Sequence, residues 1–335
     1  MEFVFLITNS NQTNVMKKNF LLLCFLLIPF FAFSQAHVMR NFQPSPFLDT
    51  TGTHSTERQY LAVTNFSGHM SRGFSSTESS QGWNAQVCGI VDMVRWKSKK
   101  NDIGFHSIAF MSSIEVNANI YNNIAFNPRG IILQESFAYF NKKKGFTWNI
   151  GFTHKSRHEI DSDSPPNDTT SRIGYQPTSR VAILNGFHLE AVSDKISLSP
   201  KVTTNIWGRA EYYTISEDSR FPYFTEKQSW DYMSGMVLLG GRVDIKLSKK
   251  EKNVWGFYNR SWVNTAIFSK KVKEEGGEIF KFNYRIESGF SFKGIKGKGE
   301  FFVAREHFFD DLSSPRPISS SVWLVGIRGR GFLFL

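Results

Sequence analysis

From residue 59 onward, apolar and polar side chains alternate one for one in long stretches, the period of a β-strand with two unlike faces. The segment 280–293 is the plainest case. Phe280, Phe282, Tyr284, Ile286, Phe290 and Phe292 take one face, and Lys281, Asn283, Arg285, Glu287, Ser291 and Lys293 take the other. Val237, Leu239, Val243, Ile245 and Leu247 oppose Arg242, Asp244 and Lys246 in the same way. A third run reads as one strand, with Ile196, Leu198, Val202 and Ile206 set against Lys201, Asn205, Arg209 and Glu211. Near the end, Trp323, Val325, Ile327, Leu333 and Leu335 face away from Arg328 and Arg330. The pattern predicts about twelve strands in all.

The connections alternate between short and long. The short ones are mostly Lys-rich: 97–102, 141–145, 193–195, 248–253 and 293–298. The long ones are polar and unlike each other: 71–81, 117–129, 157–177, 215–228, 269–277 and 310–318. Tight turns at one end and long loops at the other are the habit of an up-and-down barrel in an outer membrane. The expected fold is therefore all-β, a transmembrane antiparallel barrel with its apolar faces outward and its charges in the lumen. Arg95, Asp92, Arg209, Glu211, Arg242, Asp244, Arg260, Arg285, Glu287 and Glu300 are expected to pair across strands and fill that lumen. His188 and Glu190 are expected to join them, whereas Glu306 and His307, with Asp310 and Asp311, are assigned to a solvated loop.

The N-terminus fits export. Met16-Lys17-Lys18-Asn19 is basic, Phe20 to Phe33 is apolar apart from one proline, and Ala32-Phe33-Ser34-Gln35 offers a small-x-small cleavage site. Residues 1–15 are read as an upstream miscalled start, 16–35 as a signal peptide, 36–58 as a periplasmic segment and 59–335 as the barrel. Removal of the signal takes Cys24 with it and leaves Cys88 alone, which excludes an internal disulfide and a cysteine zinc site. Nothing after the signal reaches the ~18 consecutive apolar residues of a membrane helix. The net charge of +11 would suit nucleic acid, but the lysines sit in the tight turns and the chain is exported. The expected partners are the lipid bilayer and lipopolysaccharide of a Gram-negative envelope, with no nucleic acid, and the chain is expected as a monomer or weak homodimer.

One segment breaks its own alternation. Phe146, Trp148, Ile150 and Phe152 begin an outward series that continues as His154, Ser156 and His158. At ~3.3 Å per residue from the turn at Gly145, His154 lies about 30 Å along the strand, near the outer rim. Residues i and i+2 on one strand face are about 7 Å apart at Cα. That spacing lets His154 act as general base for the Ser156 hydroxyl. On the next strand Val181, Ile183, Asn185, Phe187 and Leu189 face outward, and Asn185 is the single polar member. Its amide is suited to orient the imidazole, the third role of a triad.

Gly151-Phe152-Thr153-His154-Lys155-Ser156, followed by Pro177-Thr178-Ser179-Arg180 and a nearby Asn, resembles outer membrane phospholipase A over about forty residues. The resemblance implies a twelve-stranded barrel, a lipid-facing His-x-Ser dyad, an Asn orienter on the following strand and calcium-dependent dimerisation. Lipid A deacylases carry a similar outward His-x-Ser on smaller barrels. This chain departs from the phospholipase pattern in two places. Arg157-His158 stand where that family has Asn-Gly, and Ile183 stands where it has its Asn, so that Asn185 lies one outward position lower. Asp161 and Asp163, in the long loop after the dyad, are candidate Ca²⁺ ligands or simply solvating residues. Two functional classes stay open: a non-enzymatic barrel (narrow channel, ligand carrier or surface anchor), and an acyl-ester hydrolase of phospholipid or lipid A.

Overall fold

The structure, a computed structural model, describes residues 59–74, 83–97, 104–118, 128–159, 181–219, 230–248, 254–274, 276–294, 297–309 and 319–330. The signal and periplasmic segments assigned to 16–58 lie outside the described residues, as do 1–15. The strands are β1 (Gln59–Phe74), β2 (Trp83–Lys97), β3 (Phe105–Ala118), β4 (Pro128–Lys143), β5 (Phe146–Glu159), β6 (Val181–Ser193), β7 (Ile196–Ser199), β8 (Val202–Ser219), β9 (Met233–Lys246), β10 (Val254–Phe268), β11 (Phe280–Lys293), β12 (Lys298–Phe308) and β13 (Ser320–Arg330). Neighbours in sequence pair antiparallel, β6 pairs with β8, and β13 returns to β1. The sheet has thirteen strands, but the four-residue β7 pairs only with β8, so twelve strands form the closed wall. Closure leaves the wall no unpaired edge.

The third alternating run is therefore two elements. The chain doubles back at Pro200-Lys201, where Ser199 Oγ accepts the N–H groups of Lys201 and Val202 at 3.4 and 3.2 Å. A proline has no N–H for the ladder, so the strand breaks here, although the apolar alternation carries on through it. The wall part keeps the expected parity, with Ile206 outside and Arg209 and Glu211 inside. By contrast the β4–β5 connection is the tight hairpin expected, with Lys144-Gly145 between the paired Lys143 and Phe146. Gly145 sits at φ 93°, where a side chain would be strained. Asp194 clasps this turn, accepting the Gly145 N–H at 3.1 Å and pairing with Lys142.

The faces are inverted relative to a soluble barrel. Phe282, Phe290 and Ile286 on β11 are 58, 56 and 53% exposed, while Asn283 and Glu287 between them are wholly buried. Charged and apolar side chains fill the lumen. Glu287 accepts Arg328 through both oxygens (2.6 and 2.9 Å), and also Arg285 and the Tyr258 hydroxyl. Arg328 and Arg242 each hold Glu300 at 2.8 Å, and Arg242 also holds Asp244. Across the barrel Lys155 holds Glu211 at 2.6 Å, Arg209 bridges Glu211 and Glu190, and Asn149 links Glu190 to His188. Glu306 belongs here too: β12 runs on to Phe308, and Glu306 is buried against Arg285 at 3.2 Å, not solvated in a loop. Opposite charge on the facing strand drew it inward.

One apolar cluster packs toward the long-loop end. A 3-10 turn (Trp230–Tyr232) and a helix α1 (Lys270–Glu274) tuck Trp230 and Val272 onto Leu184, Met233, Leu238, Phe268 and Phe309. The helix falls in a connection that reads as a polar loop, because a single buried Val272 gives no periodic signal. No helix among the described residues is long and apolar enough to cross a membrane.

Candidate functional site

The strand that carries His154 and Ser156 is held from its inner side. Thr153 Oγ1 meets Ser136 Oγ at 2.8 Å, and Lys155 Nζ reaches Glu211 and the Tyr213 hydroxyl. With 153 and 155 anchored in the lumen, the alternation of a strand turns His154 and Ser156 to the exterior.

The register places His154 directly opposite Asn185, and the imidazole Nδ1–H donates to Asn185 Oδ1 at 2.6 Å. Asn185 is set by a local irregularity. The β6–β8 register shifts between Asn185 and Gly186, leaving Thr214 as an extra residue whose hydroxyl donates to the Asn185 carbonyl at 3.2 Å. Gly186 permits this, since a Cβ there would collide with the Tyr212 carbonyl oxygen. Bulges recur where a strand must re-aim a side chain.

Ser156 is not joined to His154. It is 1% exposed, its Oγ makes no hydrogen bond, and it lies across from Leu133 and Ile183. His158, at the end of the strand, is exposed. Asp161 and Asp163 lie outside the described residues, and no three His, Cys, Asp or Glu side chains come together as a metal site among the described ones.

The sequence reading missed one member. Glu135 stands opposite His154 on the other side, on β4, and opposite Ser112 on β3. Its parity is that of the exposed Phe137, so its carboxylate faces outward, with no ion pair among the described residues. A signal was available: in the series Ile131, Leu133, Glu135, Phe137, Tyr139 it is the single charge, the same test that singled out Asn185.

Ser112, Glu135, His154 and Asn185 thus form one polar row across four strands. It is bounded on both sides. Toward the short turns runs an aromatic row, Phe110, Phe137, Phe152, Phe187 and Tyr212, each exposed and each opposite the next. Phe152 and Phe187 pack edge to face at 6.1 Å. Toward the long loops runs Ile114, Leu133, Ser156 and Ile183. The row is therefore embedded in an apolar wall and does not merely decorate a rim.

No protein-family model matches the chain, and no curated protein matches it in sequence. Among solved structures it is similar to the β domain of the Bordetella autotransporter BrkA, at 9% identity and a TM-score of 0.45 over 81% of this chain and all of that one. It is also similar to the translocator domain of the autotransporter NalP from Neisseria meningitidis, at 12% identity and a TM-score of 0.40 over 87% of this chain and 92% of that one. For the KdgM porin the figures are 9% and 0.36, over 80% of this chain and 99% of that one. Likeness at this level has no bearing on activity; the fold rests on the strand pairing itself.

Proposed function

We propose that this protein is an integral outer-membrane barrel that works on its exterior, hydrolysing acyl esters of membrane lipids. The apolar exterior supports membrane insertion, since so large an exposed apolar surface is stable only against lipid. One observation carries the activity: the His154–Asn185 hydrogen bond on the outward face, with Ser156 two residues on along the same face. The polar row between apolar rows is suited to a lipid ester, whose acyl chains would lie on the phenylalanines.

In this reading Ser156 Oγ attacks the ester carbonyl carbon while its proton passes to His154 Nε2, the ring nitrogen not engaged by Asn185. Asn185 holds the other nitrogen as the donor, which fixes the tautomer. The tetrahedral intermediate collapses, the carbon–alkoxide bond breaks, and Nε2–H protonates the departing lipid alkoxide. Water, deprotonated by the same nitrogen, then cleaves the acyl-serine. A rotation of the covered Ser156 side chain is required to bring Oγ to Nε2. Calcium is the cofactor that the phospholipase resemblance implies; with Asp161 and Asp163 undescribed, no step is routed through it.

A second reading has its own support. The covered, unpartnered Ser156 hydroxyl and the filled lumen favour a barrel that neither catalyses nor conducts and serves as a surface anchor. Turnover of labelled phospholipid and of lipid A by purified protein, with Ca²⁺ supplied, separates the two. Hydrolysis is expected, and Ser156→Ala or His154→Ala should lower it about 10³-fold or more. Equal rates for wild type and both variants would sink the hydrolase.

A further inference from the structure

Many of the ionised side chains described in the lumen hold one another. Arg95 pairs with Asp92. Lys155 and Arg209 face Glu190 and Glu211. Arg242, Arg285, Lys298 and Arg328 face Asp244, Glu287, Glu300 and Glu306, with Lys195 reaching Asp244 from the rim.

Arg260 belongs to none of these sets. β10 points it inward between the buried Tyr258 and Trp262, opposite Arg242 on β9 and Glu287 on β11. Glu287 has no valence left for it. One of its oxygens accepts Tyr258 and Arg328, the other Arg285 and Arg328, which uses the four lone-pair sites of a carboxylate. Arg242 is spent on Asp244 and Glu300 and lies over the Tyr258 ring at 3.9 Å. What Arg260 does touch is an aromatic face: its guanidinium carbon is 5.4 Å from the Trp207 ring centre. Contact through a face leaves the N–H groups in the guanidinium plane unengaged. Arg260 is half-buried, so part of it remains accessible.

A guanidinium stays protonated at any ordinary pH, so Arg260 keeps its charge. A partly buried charge without a carboxylate partner among the described residues is costly, and a counter-ion at the same place removes the cost. We propose that Arg260 is an anion site inside the barrel, taking one small monovalent anion of the chloride or carboxylate class against its open N–H edge. A single guanidinium flanked by Trp207 and by Arg242 on the facing strand suits one small anion. This site stands apart from the exterior row and does not depend on the hydrolase reading.

The test is the thermal unfolding of the full chain in detergent, with chloride, nitrate or formate exchanged for gluconate at constant ionic strength. Wild type is expected to melt a few degrees higher in the small anions, because a ligand of the native state raises the midpoint. The chloride and formate arms distinguish a halide site from a carboxylate site. Arg260→Gln should melt at one temperature in all four, while Lys195→Gln, at the exposed rim cation, should keep the difference. A dependence that survives in Arg260→Gln, or none in wild type, overturns the proposal. Should Arg260→Gln fail to fold, bromide-soaked crystals of wild type decide: anomalous density against the guanidinium is expected, and its absence there overturns the site.

Discussion

The lumen and the exterior over β3–β6 both carry charged and hydrogen-bonding side chains, and they use them in opposite ways. In the lumen most carboxylates meet a cation, though single atoms such as His188 Nδ1 and Arg209 Nη2 have no hydrogen-bond partner among the described residues. Glu287 takes four donors, and Glu211 is held by Lys155, Arg209 and Tyr213. On the exterior the polar groups stay open. His154 uses one ring nitrogen and leaves the other, Glu135 pairs with nothing among the described residues, and Ser156 Oγ has no partner. Carboxylates matched by cations in a buried place are the mark of a structural role, because each unmet donor or acceptor there costs about 1–3 kcal/mol. On the outward wall the polar row has no opposite charge among the described residues, which is why it is the candidate site.

The comparison is most sharply broken at two adjacent residues of β11 that face opposite ways. Removing an inner carboxylate strands the guanidinium groups of Arg328 and Arg285, so Glu287→Ala should cost about 3–5 kcal/mol in equilibrium unfolding from vesicles. A change near zero would mean that the lumen is wetter and less closed than its pairing implies. On the outer side Ile286→Lys should cost about 2–4 kcal/mol in the same assay if this face meets the middle of the bilayer. A neutral result would place the residue outside the hydrocarbon. The smallest expected effect is the most informative about the row. Asn185→Ala removes one hydrogen bond worth about 1–1.5 kcal/mol, which would slow lipid hydrolysis about tenfold while unfolding moves little. Loss of stability without loss of rate would make Asn185 a structural residue only.

Much of this architecture is legible along the chain. The two-residue period names the inner and outer faces of β9, β11 and β13, and the short connections mark one end of the barrel. Arg95, Asp92, Arg209, Glu211, Arg242, Asp244, Arg285, Glu287 and Glu300 all lie in the lumen, as their parity requires. Parity fails where the backbone does something a period cannot express. The turn at Pro200 splits one run in two, the bulge beside Gly186 adds Thr214, and Val272 plugs the barrel from a helix of five residues.

The site divides along the same line. The choice of His154, Ser156 and Asn185 follows from outward parity alone, since a polar residue in an apolar series stands out in one dimension. Which of them touch is a matter of register, and register depends on every strand pairing around the ring. It sets His154 against Asn185 at 2.6 Å, leaves Ser156 among Leu133 and Ile183, and brings Glu135 into the row from a strand about twenty residues away. By itself the sequence determines the strands, their two faces and the sign of charge on each. Only the closed tertiary structure decides which charges cancel and which are left over. A side chain's facing is fixed by its neighbours along the chain, whereas its partner is fixed by the shift of one strand against the next.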